Sequence, residues 1–363
     1  MHDGREITVF GFSQKLSENP GIPGPTLEYF EGDSVVIDLW NISQSSTHTI
    51  HLHGLDVNQE NDGVPHLSFE VDHMEHGFYR FMAPHSGTYL YHCHVVSSIH
   101  VQAGMYGMLI IHPKDEPKKT WKDGYSYRSS YNFLYSEIDS KWHTDSVLEH
   151  SRDHSKVRIP RYDPEYFLAN GKSETEWDSL GFPTNENTYL RLANLGFMGN
   201  RIIFPSTLNA KLIDSDGRPL PTPIFKDTLF VYPGERYGVL LTPTKDESGE
   251  IDVSYLDMNT HIIKNSSVQK YAATPFIGVE QTPNNFLLYP NPTTGELYIS
   301  AGTHNISFIE IWNVNGCKVH SFKVDNRSEI HLNVRSLPMG DGLYLLKILT
   351  ENGEVSWRKV IVL

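Results

Sequence analysis

The sequence is poor in cysteine: Cys93 and Cys317 are the two in 363 residues, too few and too far apart for a disulfide framework. Positive charge is also short, with Lys+Arg 30 against Asp+Glu 44 and a formal net charge of -14. That balance argues against nucleic acid or an anionic membrane surface as the main partner. No apolar run reaches the length of a membrane span. Heptads, low-complexity tracts and helical patterns of useful length are missing too. The opening MHDGREITVFGFS lacks the basic start and apolar stretch of a secretory signal, so the expectation is either a cytoplasmic protein or a chain without its natural beginning.

What is present points to β structure. Hydrophobic residues make up 39% and aromatics 12%, with 27 Gly and 21 Pro, too apolar for disorder and rich in turn formers. From Ile7 to about Pro113, strand-like runs such as ITVFGFS, SVVIDLWNIS, HTIHLHGL, GFYRFMAP and MYGMLIIHP alternate with turn residues, a spacing that favours a sandwich or barrel. A charged segment, KDEPKKTWKDGYSYRSS, follows. The expectation is an all-β chain with one domain over residues 1–115, a second over 126–272, a linker at 273–285 and a small third sandwich over 286–363.

Histidine is the excess. Ten of 19 lie between His48 and His100. His48-Thr-Ile-His51-Leu-His53-Gly54 is followed by Tyr91-His92-Cys93-His94, then His100 and Met105. Side chains alternate along a strand, so His51 and His53 share a face, as do His92 and His94, while Cys93 points the other way. On the Cys93 side, a thiolate, two imidazoles and a weak thioether are the donor set of a blue-copper centre. Cys93, His48, His100 and Met105 supply it, with one loop after Cys93 delivering three of the four. Zinc also accepts Cys and His, but this set with no second Cys is unusual for it.

The opposite face offers four imidazoles, which suit copper, zinc, iron and nickel alike; the plainer alternative is satisfied strand or surface histidines. His66, His73, His76 and His85 read as surface or supporting groups, with His73-Met74-Glu75-His76 a weaker metal candidate at the rim. Met74, Met82 and Met108 read as core or edge residues. Asp56 and Asp62 are the acids nearest the histidine strand; each reads as a turn carboxylate, with proton donation the rarer role.

GIPGPTLEYFEGDSVVIDLWN, HTIHLHGL, NDGVPH, APHSGTYLYHCH and MYGMLIIHP together resemble the multicopper oxidases. The resemblance implies two cupredoxin-like Greek-key β-sandwiches and copper as cofactor. It implies His48, Cys93, His100 and Met105 as type 1 copper ligands, and His51, His53, His92 and His94 as half of a type 2/type 3 trinuclear cluster. More weakly, FLANGK, TYLRLANLG, NAKLIDSDG and VYPGERYGVLL resemble the copper-free middle domain of three-domain members. The second half of the cluster is missing, because His143, His150, His154 and His261 form no H-x-H pair. Completion between subunits makes a homotrimer the expectation; fewer ions in the second site, or a vestigial site, are the alternatives.

The implied activity is that of a laccase-like oxidoreductase. A small-molecule or metal-ion donor would be oxidised through an exposed His100 edge, Cys93 would conduct to His92 or His94, and dioxygen would be reduced at the second site. Two rivals stay open: a copper nitrite reductase-like enzyme, weakened because His51 stands where that family has an acid, and a non-enzymatic blue-copper electron-transfer or copper-binding protein.

The final block, with LYPNPTTG, ELYIS, IEIWNVNGCKV, LNVRSLPMGDGLYLLKI and RKVIVL, resembles the C-terminal sorting domain of type IX secretion. That implies the type IX machinery as partner, a secreted or cell-surface destination reached through the periplasm, an amino-terminal signal lost by truncation, and no copper role for Cys317. A carbohydrate-binding or adhesive sandwich is the physical alternative.

Overall fold

The computed structural model describes residues 1–43, 46–148, 158–275, 287–302, 304–313, 318–353 and 355–363. His150, His154 and Cys317 lie outside them. The fold is all-β, and the chain divides into two compact units, Met1–Phe276 and Ile277–Leu363.

The first sandwich of the larger unit has six strands: β1 (Leu27–Phe30), β2 (Ser34–Trp40), β3 (His51–His53), β4 (His76–Met82), β5 (Gly87–His92) and β6 (Tyr106–His112). One sheet runs β1-β6-β5-β3 and the other pairs β2 with β4. Strict alternation makes β4 a strand: Gly77, Tyr79 and Phe81 are buried while His76, Phe78, Arg80 and Met82 are exposed, the period of two that a half-buried strand requires. Tyr79, Tyr89, Tyr91, Leu109 and Ile111 fill the space between the sheets.

The other face of β5 and β6 is apolar as well. Leu90, Tyr106, Met108 and Ile110 pack against Leu134, Ala193 and Leu195 of the second sandwich. That sandwich joins a six-stranded sheet, which includes Ser129–Ile138, Thr188–Asn194 and Arg236–Leu241, to a five-stranded sheet that includes Glu247–Leu256 and Ile263–Thr274. Its core holds Phe182, Leu192, Val231, Leu241 and Tyr255. In the smaller unit a three-stranded and a four-stranded sheet enclose Leu297, Ile299, Ile309, Leu346, Ile348 and Val360. No helix among the described residues is long and apolar enough to cross a membrane.

Two local expectations fail. The run ITVFGFS forms no strand; it lies along the first sandwich through one ladder-like bond, Phe10 N–H to the Ala103 carbonyl at 3.1 Å. The expected loop between Cys93 and Met105 contains a seven-residue helix, α1 (Ser97–Ala103), whose Ile99, His100, Val101, Gln102 and Ala103 are all buried. A helix buried on every side carries no amphipathic signal, which is why the sequence pattern hides it.

Candidate metal centre

The register of β3 and β5 assembles the histidines. His51 lies opposite His92, and His53 lies opposite Leu90. Directly opposed residues share a face, so His51, His53 and His92 converge; one nitrogen from each falls within a 4.8 Å group. His53 Nδ1 stands 3.4 Å from His92 Nε2. The His94 ring packs on the same cluster, 5.3 Å from His51 and 5.9 Å from His92 between centroids, although none of its nitrogens belongs to the 4.8 Å group. His51 Nδ1 donates to the Asp62 carbonyl at 2.7 Å, and His92 Nδ1 donates to the Cys93 carbonyl at 3.0 Å, which leaves Nε2 of each as the lone-pair nitrogen.

One residue beyond β5 the side chain turns to the other face. Cys93 Sγ is 3.6 Å from His48 Nδ1 and 3.2 Å from His100 Nδ1, and the three form a second group of potential metal ligands. His48 enters from an isolated bridge to Val71, and α1 presents His100. Met105 is buried at 4% exposure; its N–H donates to the His100 carbonyl at 2.9 Å and its carbonyl accepts from Cys93 N–H at 3.0 Å, so its backbone is tied to both neighbours.

Supporting residues fix the rings. His48 Nε2 donates to Ser43 Oγ at 2.9 Å, and Ser43 Oγ donates to Asn41 Oδ1 at 2.6 Å. Asn41 Nδ2 is anchored to the Ser46 and Val71 carbonyls. The chain from Asn41 to Ser43 sets the tautomer that turns Nδ1 toward sulfur. Burial lowers the His48 pKa to about 4 and that of His92 to about 3. His53 falls to about 4, by burial first and then the Arg236 cation. Burial pushes the Cys93 thiol up to about 11, against a hydrogen bond from Thr49. Neutral imidazoles are ready ligands, whereas the thiol must release its proton to a metal.

The chemistry of these donors fits copper. One sulfur and two imidazole Nδ1 atoms closed from water, with the buried Met105 tied through its backbone to Cys93 and His100, suit a type 1 ion; an all-imidazole group suits further copper but also other metals. Residues 10–116 match the family model described as multicopper oxidase, and residues 287–363 match the secretion system C-terminal sorting domain. Residues 10–116 are thus similar to a multicopper oxidase domain.

The chain is 28% identical over 271 residues to copper resistance protein A of Pseudomonas syringae pv. tomato, covering 64% of this chain and 43% of that protein. It is 26% identical over 262 residues to L-ascorbate oxidase of Cucurbita pepo var. melopepo, covering 65% and 46%. Among solved structures it resembles the blue copper oxidase from Nitrosomonas europaea, with 26% identity, a TM-score of 0.60, and 77% of this chain and 83% of that one covered. The chain thus spans less than half the length of these two curated relatives.

Three further histidines of the first sandwich take separate partners. His76 bonds Asp38 at 2.8 Å and stacks on Trp40; His73 bonds the Ser43 carbonyl; His85 bonds Asp56 at 3.2 Å. None joins a ligand group among the described residues, nor do His143, which bonds the Thr8 carbonyl, and His261. Asp62 Oδ1 lies 3.5 Å from His51 Nδ1.

One expectation is overturned: the His100 edge is not open to a donor. His100 is 2% exposed, and Phe10 sits edge-on to its ring at 5.6 Å. Sequence reasoning also missed Arg236, a 4% exposed cation from the second sandwich that packs on Gly54 beside His53. Its motif VYPGERYGVLL was visible, but nothing in it says which side chain crosses to the histidine face.

Proposed function

We propose that the protein is a secreted copper oxidoreductase, with His48, Cys93, His100 and Met105 as type 1 ligands and His51, His53, His92 and His94 as a second copper site at which dioxygen is reduced. The observation that supports it most is the change of face within three residues: Cys93 points to one ligand group while its neighbours His92 and His94 lie against the other, His92 as a member and His94 by ring contact with His51 and His92. Copper bound there supplies one-electron redox chemistry.

The residues' own part is to hold and connect. The Cys93 backbone joins the two groups covalently, burial excludes water from sulfur, and the carbonyls of Asp62 and Cys93 orient two imidazoles of the second site. Asp62, beside His51, is the carboxylate placed to hold or deliver a proton there. The Phe10 cover means that a small-molecule or metal-ion donor reacts across that segment rather than against His100 itself. A homotrimer would let a neighbouring copy complete the second site. The C-terminal sorting domain supports passage through the type IX machinery to the cell surface or the medium.

A second reading has its own support: the ligand nitrogens of His51, His53 and His92 group without one from His94, and no further histidine joins them among the described residues. That is what a blue-copper carrier with a reduced second site would show. The nitrite reductase-like reading stays as a rival enzyme, and the likeness of fold does not separate it.

Copper per chain, with oxygen uptake and nitrite loss on the same sample, tests all of these. About four coppers per chain with oxygen uptake supports the oxidase. One copper, blue colour and no turnover would replace it with the carrier, and nitrite loss with two coppers would replace it with the reductase.

A further inference from the structure

The helix that presents His100 does not stand by itself. With seven residues and no side-chain cap at Val96, α1 is too short to persist alone, and Val96 itself holds a left-handed φ of 44°, a conformation that surrounding structure must impose on a β-branched residue. Something outside the helix fixes it.

Gln102 makes that attachment. Two residues apart on a helix is about 200° of rotation, so His100 faces Cys93 while Gln102 faces the second sandwich. Its amide is used at both ends: Oε1 accepts from Asp139 N–H at 2.8 Å, and Nε2 donates to the Glu137 carbonyl at 3.0 Å and to Tyr162 Oη at 3.2 Å. It thereby occupies a ladder partner's place at the end of the strand Ser129–Ile138.

The partners are held in turn. Tyr162 donates to Glu137 Oε1 at 2.7 Å, and the same oxygen accepts the Phe197 and Met198 N–H groups. Gln102, Glu137 and Asp139 are 5%, 2% and 0% exposed, so water cannot replace a lost bond. From α1 the constraint passes onward, because the His100 carbonyl takes the Met105 N–H and the Met105 carbonyl takes the Cys93 N–H.

We propose that Gln102 is a positioning residue for the type 1 ligands: by clamping α1 to the Glu137–Asp139 backbone and Tyr162 it fixes where His100 and Met105 meet Cys93. The second sandwich, which holds no described ligand group of its own, is in that sense part of the blue site. This rests on the type 1 reading above.

The test uses the full chain loaded with copper. Gln102→Met keeps length and helix propensity but removes all three hydrogen bonds of the side-chain amide. Its thiolate-to-copper absorption band, copper hyperfine splitting and reduction potential should all shift, with copper count and far-ultraviolet circular dichroism unchanged. Tyr162→Phe should shift them less, in the same direction. Val239→Ala, a cut in the core of the second sandwich at a residue 2% exposed, should lower the unfolding midpoint and leave the spectrum alone.

A wild-type spectrum and potential in Gln102→Met would overturn the proposal, as would an equal shift in Val239→Ala. Should Gln102→Met not fold, Tyr162→Phe decides by the same readings. Colour that survives in Cys93→Ser would instead remove the type 1 reading on which the proposal stands.

Discussion

His100 Nδ1 lies 3.2 Å from Cys93 Sγ, although the two residues reach that point from separate elements, one from α1 and one from the end of β5. A preformed contact between a thiol and an imidazole nitrogen in a water-free pocket needs little rearrangement to accept a metal ion, and it makes the sulfur indispensable. Replacement of Cys93 by Ser should abolish the blue absorption and leave metal on the histidine face; loss of all bound copper in that variant would show that the two groups are a single site.

Ser43 holds the remote nitrogen of His48. Ser43→Ala should weaken type 1 copper binding by about 10- to 100-fold, the usual effect of deleting a ligand's outer hydrogen-bond partner, without change in metal held by His51, His53 and His92. Competition with a chelator reads both sites, and equal loss at both would mean that Ser43 acts on folding instead.

Gly54 has a φ of +81°, and a Cβ there would collide with the Arg236 guanidinium. Gly54→Ala therefore combines backbone strain with displacement of a buried cation, a cost of about 1–3 kcal/mol for the strain alone. Denaturant unfolding of the variant should show it, together with altered metal binding at the adjacent His53. Unchanged stability would mean that Arg236 has another place to go.

The pH response of the metal-free protein has two opposing parts. His48 and His92 sit at about 4 and about 3 when folded against an ordinary 6.5, so their contribution is present above about 6.5 and is lost as pH falls through the folded values. Glu137 is lifted by burial to about 7, so its contribution is present below the ordinary 4.5 and is lost as pH rises through 7. The denaturation midpoint of Glu137→Gln should consequently fall more steeply than wild type between pH 7 and 4.5. A parallel decline in both proteins would show that Glu137 does not titrate there.

Most of the metal centre was legible because strand periodicity is a local rule. His51, His53, His92 and Cys93 take their sides from the alternation of β3 and β5, and sulfur beside nitrogen names the metal class. Less legible was everything that arrives from elsewhere in the chain. α1 is hidden because burial on all sides erases the amphipathic stripe. The closure of His100 depends on Phe10 lying across it, a placement made by one backbone bond and ring packing. Gln102 and Arg236 act across the contact between sandwiches, where the residue type gives no hint of the partner. Fold class came through for the same reason as the ligands, from turn residues between short apolar runs, whereas ITVFGFS has a strand's composition but no neighbour to pair with along its length.

The His51–His92 register has an implication for how such a site can vary. Because both ligand groups are read from one strand in steps of a single residue, an insertion or deletion between Leu90 and His94 would exchange their sides, sending an imidazole into the pocket of the thiol and sulfur among the imidazoles. Variation there is confined to changes of residue at constant length, while the surrounding turns are free to grow or shrink.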